Sequence, residues 1–366
     1  MIDTCTIEHV FYDKKIYNDC YRIIDRISSE KYKMRLHTKN RKAKRVSYIT
    51  TAFKYFGFLE IKFFKYEFGY AIRILLKPSC LLYPGSELHL SSNGDFSEIR
   101  KRFNAIITSI NNEAGQEMLP FLESWKVMRI DYAFDIYTAY TGIYLRLFHL
   151  GLTPKGFKAP QRYTTSFYMK SKRTTYNFYD KIDQVKKKHA YKNSDIEKEL
   201  GFLPQGILRI EIQCKCKAIS YMKKKYSLKD SSIYSLWNPL IAIDTLKSRI
   251  KAVIGKENFC LCKDSQWTLS RYYKKRTFDA CMKVLHFMKN NNFRGSLQTL
   301  REFYHDKGKR SYFNTLIYKI RNAGVNPIPL DCSLGDKSLD FLENPYYLVT
   351  LDEKMAQGSD ALEPIQ

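Results

Sequence analysis

Three stretches of this chain alternate apolar with charged or reactive side chains at the two-residue period of a β-strand. That period dictates which residues share a face. The stretches are residues 127–136, 174–181 and 207–213. In the first, Arg129, Asp131 and Asp135 stand on one face, opposite Ile130, Tyr132, Phe134 and Ile136. In the second, Asn177, Tyr179 and Lys181 oppose Tyr176 and Phe178; in the third, Arg209, Glu211 and Gln213 oppose Leu208, Ile210 and Ile212. Three such strands in one sheet give a polar face of carboxylates, a tyrosine, a lysine and arginines. A metal ion, a tyrosine nucleophile and a phosphate backbone need such groups.

Charge narrows the partner. The chain has 366 residues, enough for two or three domains and a sizeable core. Its 62 Lys and Arg outnumber 37 Asp and Glu, a net charge of +25. With 28 Tyr and 23 Phe interleaved, that excess points to a polyanion, most often nucleic acid, ahead of a merely solubilising surface. Nine cysteines in no regular framework read as reduced thiols of an intracellular protein. Cys214-Lys215-Cys216 and Cys260-Leu261-Cys262 offer a zinc site, but structural zinc sites usually space ligands by two or more residues, so partly buried thiols are the preferred reading. No signal peptide opens the sequence, and no apolar run reaches membrane-spanning length, so a cytoplasmic protein without a membrane partner is expected.

Along the chain, a helix is expected over about 16–33, followed by the basic stretch Lys39, Arg41, Lys42, Lys44 and Arg45, either a solvated loop or a phosphate-contacting arm. A β-rich segment runs over 53–76. An amphipathic helix follows over 97–110, with Ile99, Phe103, Ile106, Ile107 and Ile110 on one side. After the 127–137 strand comes a helix near 143–150. A basic hairpin then carries Lys170, Lys172 and Arg173 at its tip, and a charged helical insertion spans 182–200. From about residue 218 the chain turns helical. Ser296 can cap a helix with Leu297, Leu300 and Phe303, and Ser311 a second with Phe313, Leu316, Ile317 and Ile320, stopped by Gly324. The pair has helix-turn-helix form, although such pairs are more often plain packing units. The expected class is α+β: an antiparallel or mixed central sheet with flanking helices, plus a mostly helical C-terminal region. The division expected is 1–217 (α+β, catalytic), 218–330 (helical, a candidate DNA-binding domain) and 331–366 (an acidic tail).

A tyrosine can attack a phosphodiester to give a phosphotyrosyl link and a free 3′-hydroxyl. Its phenol is mostly protonated at neutral pH and needs help. Tyr179, with Lys181 two residues on and Asp131 and Glu211 on neighbouring strands, has the inventory. Carboxylates suit a hard divalent ion, which can polarise the scissile phosphate, and lysine can stabilise it. Asp135 is a second ligand or supports one. The plain alternatives are a packing tyrosine and cross-strand pairs of Asp131 and Glu211 with Arg129 and Arg209. Asp is depleted in strands, so finding both Asp131 and Asp135 in one favours the functional reading. The chain has no G-x-x-x-x-G-K loop, no H-E-x-x-H and no G-x-S-x-G elbow.

Arg129-Ile130-Asp131-Tyr132-Ala133-Phe134-Asp135, Phe178-Tyr179-Asp180-Lys181 and Leu208-Arg209-Ile210-Glu211-Ile212 together resemble the core of rolling-circle replication initiators. Filamentous-phage gene II/X-type proteins and their plasmid relatives are the nearest in appearance. Met1-Ile2-Asp3 and Tyr318-Lys319-Ile320-Arg321-Asn322-Ala323-Gly324-Val325 are also similar to that group. The resemblance implies a Rep nuclease-like, metal-dependent nickase of a plasmid or phage. Such an enzyme cuts one strand at an origin, stays joined to the 5′ end through tyrosine and later rejoins the strand. It implies Tyr179 as nucleophile beside Lys181, Asp131 and Glu211 as metal or active-site groups with Asp135 nearby, and Mg²⁺ or Mn²⁺ as cofactor. The partners implied are origin DNA at a single-stranded or cruciform nick site, with host helicase and polymerase. Contacts to DNA are expected from Arg129, Arg209, Lys170, Lys172, Arg173, Arg41, Lys42, Lys44 and Arg45. The His-hydrophobe-His motif of the wider superfamily is missing, with His89 and His149 isolated in the sequence. Tyr176 is the rival nucleophile. A conjugative or mobilisation relaxase uses the same chemistry, and a non-enzymatic DNA-binding protein is the reading from another class.

Overall fold

The computed structural model describes residues 1–40, 45–67, 69–290, 295–330 and 339–350. In chain order, the first elements are β1 (Ile2–Phe11), α1 (Lys14–Ile27), β2 (Arg35–Asn40), β3 (Arg45–Thr50), β4 (Phe58–Tyr66), β5 (Gly69–Leu76), α2 (Ser79–Leu82) and α3 (Phe96–Ala114). Next come β6 (Lys126–Tyr137), α4 (Thr141–His149), β7 (Gln161–Tyr163), β8 (Ser166–Lys170), β9 (Thr174–Asp180), α5 (Lys181–His189), α6 (Asn193–Leu200) and β10 (Ile207–Lys215). The remainder is α7 (Cys216–Lys225), α8 (Ile233–Leu236), α9 (Pro239–Ile254), β11 (Phe259–Cys260), α10 (Cys262–Tyr272), α11 (Lys275–Asn290), α12 (Leu297–Asp306), α13 (Arg310–Asn322), β12 (Phe341–Leu342) and α14 (Pro345–Leu348). The class is α+β, as expected.

The chain divides differently from the sequence expectation. One compact unit comprises Met1–Ala133, Tyr191–Leu203 and Glu211–Ala242; the other comprises Phe134–Ala190, Pro204–Ile210 and the chain from Ile243 onward. The chain crosses from one to the other within β6 and again within β10.

In the first unit the strand order is β2-β3-β4-β5-β1-β6-β10. β1 is central and antiparallel to both β5 and β6. Its apolar pattern is interrupted by Thr4, Thr6 and Glu8, which hides it in the sequence. Two of these are satisfied across the ladder: Glu8 pairs with Arg73, its register partner on β5, and the Thr4 hydroxyl donates to Asp131 of β6. α1 is shorter than expected. Asp13 caps it, accepting from the Lys15 N–H, and it buries Tyr17, Cys20 and Ile24. α3 buries Ile99, Phe103, Ile107 and Ile110, leaves Ile106 half-buried, and ends at Gly115 with φ +66°. Phe103 lies 5.1 Å from Phe58 and 6.0 Å from Trp125, ring to ring. Truncating such a fully buried phenylalanine costs about 3–5 kcal/mol.

In the second unit the order is β6-β10-β9-β8-β7. The alternation read from 174–181 holds: Phe178 packs on Phe148 of α4 at 4.6 Å and on Phe167 at 5.4 Å, while Tyr176 meets Phe157 at 4.5 Å. The strand ends one residue early, however, because the Asp180 carboxylate accepts from the Asp183 N–H at 3.0 Å and caps α5. Lys181 is therefore the first residue of a helix. The expected 182–200 helix is two, broken at Ala190 with φ +55°.

Farther on, Ser296 caps α12 as expected, in a capping box with Thr299. Ser311 caps nothing; it lies inside α13, whose N-cap is Lys309. Phe303 is on the outer face of α12, half exposed beneath the Lys307 ammonium. Within residues 331–366, the described part is not a loose tail. β12 pairs with β11, and fully buried Asn344 donates to the Glu257 carbonyl at 2.9 Å while capping α14.

Candidate active site

Tyr179 and Lys181 flank the junction of β9 and α5 in the second unit. The helix turn that Asp180 starts carries the lysine back over the strand, placing its Nζ 5.9 Å from the centre of the Tyr179 ring. The same Nζ donates to Gln184 Oε1 at 2.7 Å. Tyr179 faces Ser166 across the β8–β9 ladder and is 6% exposed; Tyr176, on the opposite face, is 0% exposed. The ammonium thus lies against the Tyr179 ring as a cation–π contact, and both side chains are largely covered, Lys181 at 4% and Tyr179 at 6% exposed.

In the same unit Asp135 does not stand open on a polar face. Arg209 Nε donates to its Oδ1 and Nη2 to its Oδ2, each at 2.7 Å, and the arginine is fully buried. The expected phosphate contact from Arg209 is therefore corrected: its guanidinium is an internal counter-ion. Burial without such a partner would be prohibitive for either charge.

Arg129, Asp131 and Glu211 belong to the first unit. Arg129 closes on Asp131 two residues along the same strand face, with Nε–Oδ1 at 3.0 Å and Nη2–Oδ2 at 2.7 Å; Thr4 Oγ1 donates to Oδ2 at 2.5 Å. Burial of this carboxyl pushes it up to about 6, against the opposing pull of Arg129 and the Thr4 hydroxyl. Glu211 is 5% exposed and accepts from Gln213 Nε2 at 3.0 Å. A hard divalent ion needs several free oxygens. Asp131 and Asp135 commit theirs to guanidinium groups, and among the described residues no three His, Cys, Asp or Glu side chains are grouped to hold a metal. The donor set in this arrangement does not fit the ion that the family resemblance implies.

Lys170, Lys172 and Arg173 are exposed around the β8–β9 turn, which Ser171 closes by donating to the Thr174 carbonyl. Arg45 is half-buried over the rings of Phe64 and Tyr66, at 4.8 and 5.9 Å. Arg41, Lys42 and Lys44 lie outside the described residues. Cys214 is buried and Cys216 exposed, each without a disulfide.

One further cluster joins residues far apart in the sequence. His89 Nδ1 lies 2.9 Å from Ser86 Oγ and 3.2 Å from Glu199 Oε1, and the Leu88 N–H donates to the same carboxylate oxygen at 2.9 Å. Burial pushes Glu199 up, but hydrogen bonds from His89, Ser86, Leu88 and Tyr191 outweigh it and hold the carboxyl at about 2. It ties α6 to the loop after α2. A separation of 110 residues hides it in the sequence.

No protein-family model matches the chain, and no curated protein does. A solved structure of a rolling circle replication initiator protein from Geobacillus stearothermophilus is similar at 11% identity, over 69% of this chain and 84% of that one, with a TM-score of 0.31.

Proposed function

We propose that the protein is a DNA nickase and strand transferase that starts rolling-circle replication of a plasmid or phage. The observation that carries this reading is the Lys181 ammonium set 5.9 Å from the Tyr179 ring at a strand-to-helix junction. The net charge of +25 and the motif resemblance support it. In the reaction the Tyr179 oxygen attacks a backbone phosphorus. The tyrosyl O–P bond forms, the P–O3′ bond breaks, the phenol gives up its proton and the departing 3′-oxygen takes one. Lys181 offsets the charge that grows on phenolate and phosphate. Reversal by a 3′-hydroxyl rejoins the strand. Lys170, Lys172 and Arg173 on the β8–β9 turn contact the DNA backbone.

The test is an incubation of protein with end-labelled origin single strand in Mg²⁺, Mn²⁺ or EDTA, resolved on a denaturing gel. A covalent adduct in the native protein and none in Tyr179→Phe is expected. An adduct that persists in the variant assigns the nucleophile elsewhere. A second reading, a DNA-binding protein without nicking activity, is favoured by the 6% exposure of Tyr179, which leaves little room for a strand. Binding with no adduct under any metal condition selects it.

A further inference from the structure

The three tryptophans divide sharply. Trp125 and Trp237 are 1% and 8% exposed, whereas Trp267, in the middle of α10, is 62% exposed. Exposing an indole forfeits a large apolar burial, and tryptophan is usually well covered. The Arg271 guanidinium sits one turn on, 4.4 Å from the ring centroid. Lys263, one turn before, is exposed on the same helix face. Where α10 gives way to α11, Lys274, Lys275 and Arg276 are all exposed. Residues 262–276 thus hold five cations and one carboxylate, Asp264. A stacking platform flanked by cations is the arrangement that takes a nucleobase on the ring and phosphates on the charges. A protein partner could also anchor on the ring and Arg271, but five cations against one carboxylate favour a polyanion.

We propose that the α10 face around Trp267 binds single-stranded nucleic acid without sequence preference, one base stacking on the indole and adjoining phosphates meeting Arg271, Lys263 and the 274–276 cations. Its use in holding the nicked or displaced strand rests on the strand-transferase reading; the binding itself does not.

The test titrates the full-length protein with oligothymidylate and follows tryptophan emission, since Trp267 is the exposed fluorophore of the three. The expected result is saturable quenching that weakens steeply with salt. Trp267→Ala is expected to lose on the order of tenfold in affinity, with the same melting temperature because the side chain packs little. Emission unchanged at saturating oligonucleotide, affinity in Trp267→Ala within twofold of the native protein, or equal binding of blunt duplex would overturn the proposal. So would a blue shift that follows protein concentration without DNA, which assigns the face to self-association. The two readings fail separately: quenching without any covalent adduct keeps this surface and removes the nickase, and an adduct with no role for Trp267 does the reverse.

Discussion

Arg209 grips both carboxylate oxygens of Asp135, Nε to Oδ1 and Nη2 to Oδ2, at 2.7 Å each, with side-chain exposures of 0% and 11%. A bidentate, desolvated pair of this kind anchors its strands, and losing one partner strands a charge in the interior. Arg209→Met is therefore expected to destabilise by about 3–5 kcal/mol. The double variant Arg209→Met with Asp135→Leu should recover a good part of that loss. Urea unfolding measures both; equal stability of Arg209→Met and the native protein would mean that the pair does not hold in solution.

Asp131 carries an unusual pH signature. Its carboxyl is raised by burial to about 6 from an ordinary value of 3.8. The folded state therefore binds a proton that the unfolded chain has already released between about pH 4 and 6. Stability from this group is full below about pH 4 and is lost as pH rises through about 6. A carboxyl carbon titration by NMR should show a midpoint near 6, and Asp131→Asn should flatten that segment of the stability profile. A midpoint near 4 would contradict the burial argument.

Glu199 acts in the opposite direction. Burial raises its carboxyl, but the hydrogen bonds from His89, Ser86, Leu88 and Tyr191 win and depress it from 4.5 to about 2. Its contribution is present above about pH 4.5 and is lost as pH falls towards 2. Glu199→Gln should cost about 1.5–3 kcal/mol at pH 7. The gap from the native protein should narrow steadily when the same unfolding curves are measured towards pH 2. A gap that stays constant with pH would show that the carboxylate's charge is irrelevant to the docking of α6.

Lys181 reaches Tyr179 only because Asp180 starts α5, so the cap is a positioning element for the pair. Asp180→Ala removes the acceptor for the Asp183 N–H and is expected to cost about 1 kcal/mol of stability. It should also slow adduct formation more than it weakens DNA binding. Equal losses in both would mean the cap supports the fold alone.

The strands that carry the candidate site were legible because a period of two survives in them: Tyr176 and Phe178 pack on one side and Tyr179 faces the other, as the alternation requires. What the pattern could not give was depth. Arg209 reads as a polar-face residue, and only a carboxylate 74 positions away turns it into a buried one. β1 was missed for a related reason: Thr4 looks like surface until Asp131 is placed beside it. Its run of Thr and Ile, strong strand formers, was the available signal. Ser311 and Phe303 differ from their expected places because a cap is defined by backbone angles, which put it at Lys309, and because an aromatic residue can serve the outer face of a helix when a lysine one turn on covers it.

Covalent attachment through the Tyr179 oxygen is tested most directly by peptide mapping. After reaction with origin single strand, nuclease trimming and trypsin, residues 174–181 are expected as a single peptide holding both Tyr176 and Tyr179. Fragmentation should place the residual nucleotide on Tyr179. A nucleotide on Tyr176, on a peptide from elsewhere in the chain, or on none would contradict the account.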